Sequence, residues 1–160
     1  MKRLLVFVML IIGAITFSGC WLLESDQITS LGKKLTYDNV NFTIRESIYW
    51  TYSFDVSYTT VRAESGNIFL RLTVDIENLS KSEYWAYYGD WKLVLKGGAE
   101  YDAKNYLGDS NAMDLVKIQP YEERTFMLTY ELPEKVSEKQ MQVQYNNSIF
   151  MGCELIWQVK

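Results

Sequence analysis

The chain has 160 residues, a length that suits one domain, and its 48% hydrophobic and 22% charged residues are typical of a folded protein. It contains no histidine, which excludes Ser-His-Asp and Cys-His catalytic devices and imidazole metal ligands. The formal net charge of −4 disfavours a broad basic surface for nucleic acid. We therefore expect no nucleic-acid partner, no metal site and no cofactor.

The N-terminus has the parts of a secretory leader. Lys2 and Arg3 form its positive end, and residues 4–15 are an uninterrupted apolar run. A run of this length fits a signal peptide and is short for a membrane-spanning helix. The pattern predicts a signal peptide over residues 1–19.

Small residues precede the first cysteine. Ser18 and Gly19 lie directly before Cys20, and this arrangement resembles the lipobox of bacterial lipoproteins. The resemblance implies cleavage between Gly19 and Cys20 and a thioether-linked diacylglycerol on Cys20. Two acyl chains hold a soluble domain firmly on a membrane, whereas one chain does not. The alternative is an uncleaved anchor helix extended by residues 21–23. Both alternatives place the remaining chain outside the cytoplasm, at the bacterial cell envelope.

Residues 20–34 show no clear periodicity, and we assign them to the lipidated N-terminus and a short tether. The chain has two cysteines, Cys20 and Cys153. If Cys20 carries lipid, Cys153 has no disulfide partner. Because Cys153 follows the apolar parity of the last predicted strand, we expect it to be buried and unreactive.

From residue 35 onward, apolar and polar residues alternate as in strands with one buried face. The clearest run has Ile68, Leu70, Leu72, Val74 and Ile76 on one face, with Phe69 as an exception on the other. Similar runs lie at residues 40–44, 48–58, 91–95, 126–132, 141–145 and 149–159. We expect a bend between the first two of these runs. Since a single antiparallel sheet cannot bury its apolar face, the pattern predicts an all-β sandwich of about seven strands over residues 35–160.

One segment, residues 83–91, breaks the alternation with closely spaced aromatic residues. They are Tyr84, Trp85, Tyr87, Tyr88 and Trp91. Their parity is mixed, so they cannot all face one core. Exposed Tyr and Trp are typical of protein interfaces and sugar-stacking surfaces. The segment is a candidate binding surface, with residues 49, 50 and 52 as candidate neighbours; the alternative is that these aromatics cap the end of the sandwich.

Three stretches resemble a known family. They are Gly66 followed by NIFLRLTVDIE with Asn78 and Ser80, WKLVLKGGAEY, and IQPYEERTFMLTYELP. The chain resembles a bacterial domain of unknown function with an immunoglobulin-like fold, which is often found in secreted lipoproteins and is related in fold to a mycobacterial immunoprotective extracellular antigen. The resemblance covers about residues 35–145 and implies an immunoglobulin-like antiparallel sandwich.

The motifs of this resemblance are structural. We interpret Asn78 as a turn residue that bonds neighbouring backbone. The family usually has Gly at the position of Tyr121, so we expect a different type of turn there.

No nucleophile and base can be paired in this sequence, so we do not expect an enzyme. The prediction is a lipid-anchored interaction or structural module of the cell envelope, with an envelope protein or glycan as partner. The alternative is an envelope binder of wall glycan, peptide or a metal ion that uses the aromatic surface. A hydrolase is a distant third.

Overall fold

A computed structural model describes residues 27–106, 108–134, 136, 141–146 and 155–159. Its strands are β1 Gln27–Ser30, β2 Lys34–Tyr37, β3 Val40–Thr51, β4 Ser53–Val56, β5 Thr59–Arg62, β6 Asn67–Asn78, β7 Tyr84–Ala86, β8 Trp91–Leu95, β9 Glu100–Asp102, β10 Val116–Ile118, β11 Glu123–Pro133, β12 Met141–Tyr145 and β13 Leu155–Val159. A short 3-10 helix, Tyr88–Asp90, precedes β8. Within these described ranges, no helix is both long enough and apolar enough to cross a bilayer.

Two sheets form the layers of the sandwich. One has five strands in the order β1-β13-β12-β8-β9, and the other has four in the order β11-β6-β3-β2. Strand β1 runs parallel to β13, and the other pairings are antiparallel. Two ribbons of two strands, β7–β10 and β4–β5, lie outside these sheets. This architecture confirms the predicted all-β sandwich, and the short accessory strands raise the strand number above seven.

The alternating residues fill the space between the sheets, as predicted. Leu70, Leu72, Val74 and Ile76 of β6 are completely buried. The facing sheet contributes buried residues from β8, β12 and β13. They are Trp91, Leu93, Met141, Val143, Tyr145, Leu155, Trp157 and Val159. The described residues contain no disulfide. Apolar burial of this extent is therefore the main force that holds the sandwich together.

The exception at Phe69 has a structural reason. Phe69 points away from the main core yet is completely buried, because it packs against Phe54 of β4 and Tyr106. The three rings contact one another edge to face, with centroids 5.1–5.6 Å apart. The β4–β5 hairpin therefore covers one end of the outer face of the four-stranded sheet.

The expected bend in the region of residues 40–58 takes two forms. Ile44 pairs with Val74 and Ile48 pairs with Leu72, so β3 carries extra residues in a bulge between these pairs. The chain then bends at Tyr52, between β3 and β4. A bulge twists the strand and redirects its side chains, and the bend at Tyr52 then turns the chain into the β4–β5 hairpin.

Residues 27–30, which we assigned to the tether, lie in β1 and pair with β13. An edge strand can join a sheet through its backbone alone, so it needs no alternating pattern. Cys20, Cys153 and the expected lipidation and cleavage positions at Gly19 and Cys20 lie outside the described residues.

Candidate functional site

The five predicted aromatic residues lie at one end of the sandwich and have different environments. Trp85 and Tyr87 are exposed, Tyr84 and Tyr88 are half-buried, and Trp91 is completely buried. Trp91 packs against Tyr145 and Trp157, with ring centroids 4.9 and 5.8 Å apart. The segment is therefore both a cap on the core and a partly exposed surface, so each of our two interpretations describes part of it.

The 3-10 helix explains why Trp91 differs from Trp85 and Tyr87. Trp85, Tyr87 and Trp91 would share a face in a continuous strand. The turn Tyr88–Asp90 interrupts the strand, and Trp91 then begins β8 with its ring in the core. A Cβ on Gly89 would overlap the Tyr87 ring, so glycine allows Tyr87 to fold back over this turn.

Tyr84 anchors the segment to both sheets. Its ring contacts Phe42 edge to face, and its hydroxyl lies 2.5 Å from the hydroxyl of Tyr145. Burial, strengthened by the contact with Tyr145, raises the pKa of Tyr84 far above its usual value. The Tyr84 hydroxyl therefore stays protonated, and its bond to Tyr145 is a structural contact.

The exposed part of the segment lies on one face of the β7–β10 ribbon. Trp85 pairs with Lys117, and the Lys117 ammonium lies 5.1 Å from the centroid of the Trp85 ring. Tyr87 and Leu115 directly flank the paired residues Ala86 and Val116, and both are exposed. We call these four residues the ribbon patch. Lys117 also forms an ion pair with Glu83 at 2.9 Å, so the patch has a balanced charge.

Asn78 fastens the loops behind this ribbon. Its buried amide donates to the carbonyls of Ser82, Ile118 and Gln119 at 2.8–3.2 Å, and its oxygen accepts bonds from the backbone and hydroxyl of Ser80. This confirms its interpretation as a turn residue.

Tyr121 occupies the third position of a turn closed by a hydrogen bond from the Glu122 amide to the Gln119 carbonyl. Its φ of 61° lies in the left-handed region, where glycine is favoured. Our expectation of a different turn type was wrong in this respect: a tyrosine holds the positive φ at the position where the family usually has glycine.

A groove lies at the opposite end of the molecule, on the outer face of the four-stranded sheet. It has a volume of about 340 Å³ and is lined by Tyr49, Trp50, Thr51, Ser53, Phe54, Arg71 and Met127. The folded-over β4–β5 hairpin forms one wall. Tyr49 is exposed in its lining, and Tyr52, between the lining residues Thr51 and Ser53, is exposed as well. We call this region the aromatic groove.

Arg71 is the charged centre of the groove. Its guanidinium stacks on the Phe54 ring at 4.0 Å and pairs with Asp109 at 2.5 Å. Arg71 Nε also donates to Thr129 Oγ1 at 3.2 Å. Both charged side chains are largely buried, which fixes the wall of the groove. Next to it, burial and the negative charge of Glu131 and Glu64 raise the pKa of Tyr106 to about 12.

The two aromatic regions are not neighbours, so our expectation that residues 49, 50 and 52 adjoin the aromatic segment was wrong. Phe42, which contacts Tyr84, pairs with Ile76, whereas Tyr49 pairs with Arg71. Five residues separate these positions along β6, which is roughly 17 Å.

The groove was missed because its parts are distant in sequence. Phe54, Arg71 and Asp109 come from a hairpin, a central strand and a loop. The one available signal was Phe69, an apolar residue on a polar face. A second concavity of about 590 Å³ lies on the five-stranded sheet and is lined by residues such as Val94, Gln142 and Gln158, without an aromatic side chain.

The acidic residues do not suggest metal chemistry. Asp109 is engaged by Arg71 and by the Asn111 amide, and Asp114 accepts a bond from the Leu115 amide. In the part of the chain that the structure describes, no three His, Cys, Asp or Glu residues are grouped to hold a metal ion.

Solved structures with similar folds come from several bacteria. An uncharacterised β-sandwich protein of Clostridium difficile superposes with a TM-score of 0.59 and 20% identity, covering 84% of this chain and 95% of that one. The secreted protein MPT63 of Mycobacterium tuberculosis gives a TM-score of 0.60 at 13% identity, with coverages of 83% and 97%. A candidate lipoprotein of Bacillus subtilis, ycdA, gives 0.54 at 12%, with coverages of 79% and 38%.

These identities support the fold alone, and no curated protein matches the sequence. The family model for a domain of unknown function, DUF4352, matches residues 29–154, which is most of the chain. The match includes the whole four-stranded sheet and both aromatic regions, and it ends just before β13 of the five-stranded sheet. The chain therefore belongs to the DUF4352 family.

Proposed function

We propose that this protein is a lipid-anchored, non-enzymatic interaction module of the bacterial cell envelope, which presents the aromatic groove to an envelope protein. The observation that carries the proposal is the groove itself, in which the exposed Tyr49 and the Trp50 ring lie beside Arg71, which Asp109 holds in place. Tyr and Arg are enriched where proteins bind each other, and a prearranged arginine loses little entropy on binding.

The anchor is supported by the sequence and by similar folds. Cys20 follows small residues after an apolar leader. Structures similar to this one include a secreted protein and a candidate lipoprotein. Labelled palmitate should be incorporated into the full chain and lost in a Cys20→Ser variant. If the variant is labelled as strongly as the wild type, Cys20 is not the lipidated residue.

Crosslinking from the cell surface tests the groove. A photoreactive phenylalanine analogue is placed at Tyr49 or Tyr52, and at Lys96 as an exposed control on the β8–β9 turn. We expect one defined adduct from the two groove positions that is missing from the control. Equal adducts from all three positions would contradict a specific site in the groove.

A glycan binder is the second candidate. Tyr49 offers an exposed ring next to a charged pair, an arrangement that also suits stacking on sugars. Binding of the protein to isolated wall glycan that is lost in Tyr49→Ala, with the fold intact by circular dichroism, would favour this candidate over a protein partner.

A further inference from the structure

The ribbon patch has the composition of a membrane interface. Trp85, Leu115 and Tyr87 are 50%, 60% and 40% exposed. Tryptophan and tyrosine prefer the headgroup region of a bilayer, because their rings are apolar and their N–H or O–H groups remain hydrated. Lys117 extends along the Trp85 ring, and such a side chain can keep its ammonium in water while its carbons are covered.

The charge on this patch does not select for anionic lipid. Lys117 pairs with Glu83 across the ribbon, and Asp114 is exposed nearby. A surface of this kind gains free energy by covering apolar area and not by attraction to charged headgroups. It is therefore suited to a neutral bilayer as well as to an anionic one.

The chain enters the domain at the same end. Gln27 of β1 pairs with Leu155, Leu155 pairs with Tyr145, and Tyr145 pairs with Trp91. Three strand spacings separate Gln27 from Trp91, which is about 14 Å. Trp91 directly follows the 3-10 turn that leads out of the ribbon.

The sequence between the proposed anchor and β1 is short. Seven peptide steps join Cys20 to Gln27, and seven extended residues reach at most about 25 Å. A lipid on Cys20 therefore keeps the entry end of the domain within reach of the bilayer. Other exposed apolar residues at this end, Leu79 and Tyr121, add to the area that a membrane could cover.

We infer that the ribbon patch docks on the lipid surface of the membrane that holds the Cys20 anchor, so that the aromatic groove faces away from it. The inference rests on the proposed lipidation. Its occupant is the bilayer, because the patch combines Trp, Tyr, Leu and Lys with a short connection to the acyl chains.

Quenching by brominated lipid tests the docking. Full-length chain is expressed in a bacterial host, and the processed lipoprotein is reconstituted into phosphatidylcholine vesicles with or without bromine on the acyl chains. All variants carry Trp21→Phe, because Trp21 adjoins the anchor. We expect brominated lipid to reduce the tryptophan emission, and Trp85→Phe to abolish at least half of that reduction. Trp50→Phe, at the other end of the molecule, is the matched control and should retain it.

Lipidation is measured first, by the mass of the reconstituted protein, so that the two hypotheses can fail separately. A protein without acyl chains would contradict the proposed anchor. A lipidated protein in which Trp85→Phe and Trp50→Phe are quenched equally would overturn the docking alone. If the patch binds an envelope protein instead, protein-free vesicles should give no Trp85-dependent quenching. That result would also overturn the inference.

A second variant guards against effects on folding. Leu115→Ser changes an exposed side chain next to Trp85 and leaves the reporter in place. We expect it to weaken the Trp85-dependent quenching in brominated vesicles while the circular dichroism spectrum is unchanged. Unaltered quenching would show that the face of the ribbon does not contact lipid.

Discussion

The two ends of the sandwich expose aromatic residues for different physical reasons. At the ribbon end, Trp85 and Tyr87 lie on a two-stranded ribbon whose loops are fastened by neutral hydrogen bonds to Asn78. At the groove end, the β4–β5 hairpin is held by a buried ion pair and a cluster of three rings. A buried charged pair fixes the geometry of a concave binding site, whereas an exposed apolar face without net charge suits contact with a broad, flat surface. We therefore propose that the groove recognises a partner and that the ribbon orients the domain on the membrane.

Removal of the ion pair at the groove end should have the largest effect on stability. Arg71→Met should lower the free energy of unfolding by about 3 kcal/mol, because the Asp109 carboxylate, only 6% exposed, loses its counter-charge. Urea denaturation followed by tryptophan fluorescence measures the loss. The double variant Arg71→Met/Asp109→Asn should recover much of it. If both variants are equally unstable, the contribution of Arg71 comes from its stacking on Phe54 and not from the pair.

At the ribbon end, Asn78→Ala is the corresponding change. Three buried or partly buried carbonyls lose their donor, and we expect a loss of about 2 kcal/mol in the free energy of unfolding. Ser80→Ala removes one hydroxyl from the same loop and should cost less. An Asn78→Ala variant that unfolds at the same urea concentration as the wild type would show that water replaces the amide and that this end is loosely held.

Acid should weaken the groove end through Glu131. Burial acts to raise its pKa, but the hydrogen bonds from Lys104, the Glu64 amide and Asn67 outweigh it, so the pKa of Glu131 lies below its usual value. A carboxyl with a lowered folded pKa stabilises the protein above its unfolded pKa of about 4.3, and this contribution is lost as the pH falls through the folded pKa.

The test compares urea denaturation at neutral pH with denaturation at a pH below the unfolded pKa. Glu131→Gln should show a smaller loss of stability on acidification than the wild type. The pKa of Glu122, at the ribbon end, is also lowered, by the backbone bond to Gln119 and by Arg124, but this carboxylate lies at the surface. Glu122→Gln should therefore follow the wild type closely, since solvent screens such pairs. An equal response of both variants would mean that the two ends do not differ in acid sensitivity.

How much of the fold and of the candidate site could be predicted from the sequence depends on how far apart in the chain the interacting residues are. Alternation located the buried residues of β6, β11 and β12, because the period of a strand is a local property. Asn78 was interpretable as a turn residue for the same reason. The run 91–95 likewise placed Trp91 on the apolar face of a strand, but alternation did not separate it from Trp85 and Tyr87, since the 3-10 turn between them shifts the phase.

The groove could not be predicted at all from local patterns. Arg71 and Asp109 are 38 residues apart, and their pairing depends on a loop that crosses the edge of β11. Nothing in the neighbouring residues of either side chain indicates its partner. Phe69 indicated only that something covers the outer face of β6.

The smallest expected effect concerns strain at one residue of each end. Tyr121 holds a φ of 61° at the ribbon end, and Ser57 holds a φ of 40° in the β4–β5 turn. Left-handed backbone is costly for any residue with a Cβ, so Tyr121→Gly should raise the free energy of unfolding by up to about 1 kcal/mol. Ser57→Gly should gain less, because it also removes the hydrogen bond from Ser57 Oγ to the Gly108 carbonyl. Thermal denaturation of the two variants decides between them. A larger gain in the free energy of unfolding for Ser57→Gly than for Tyr121→Gly would show that the Ser57 hydroxyl does not stabilise the hairpin. Backbone strain at Ser57 would then outweigh its hydrogen bond.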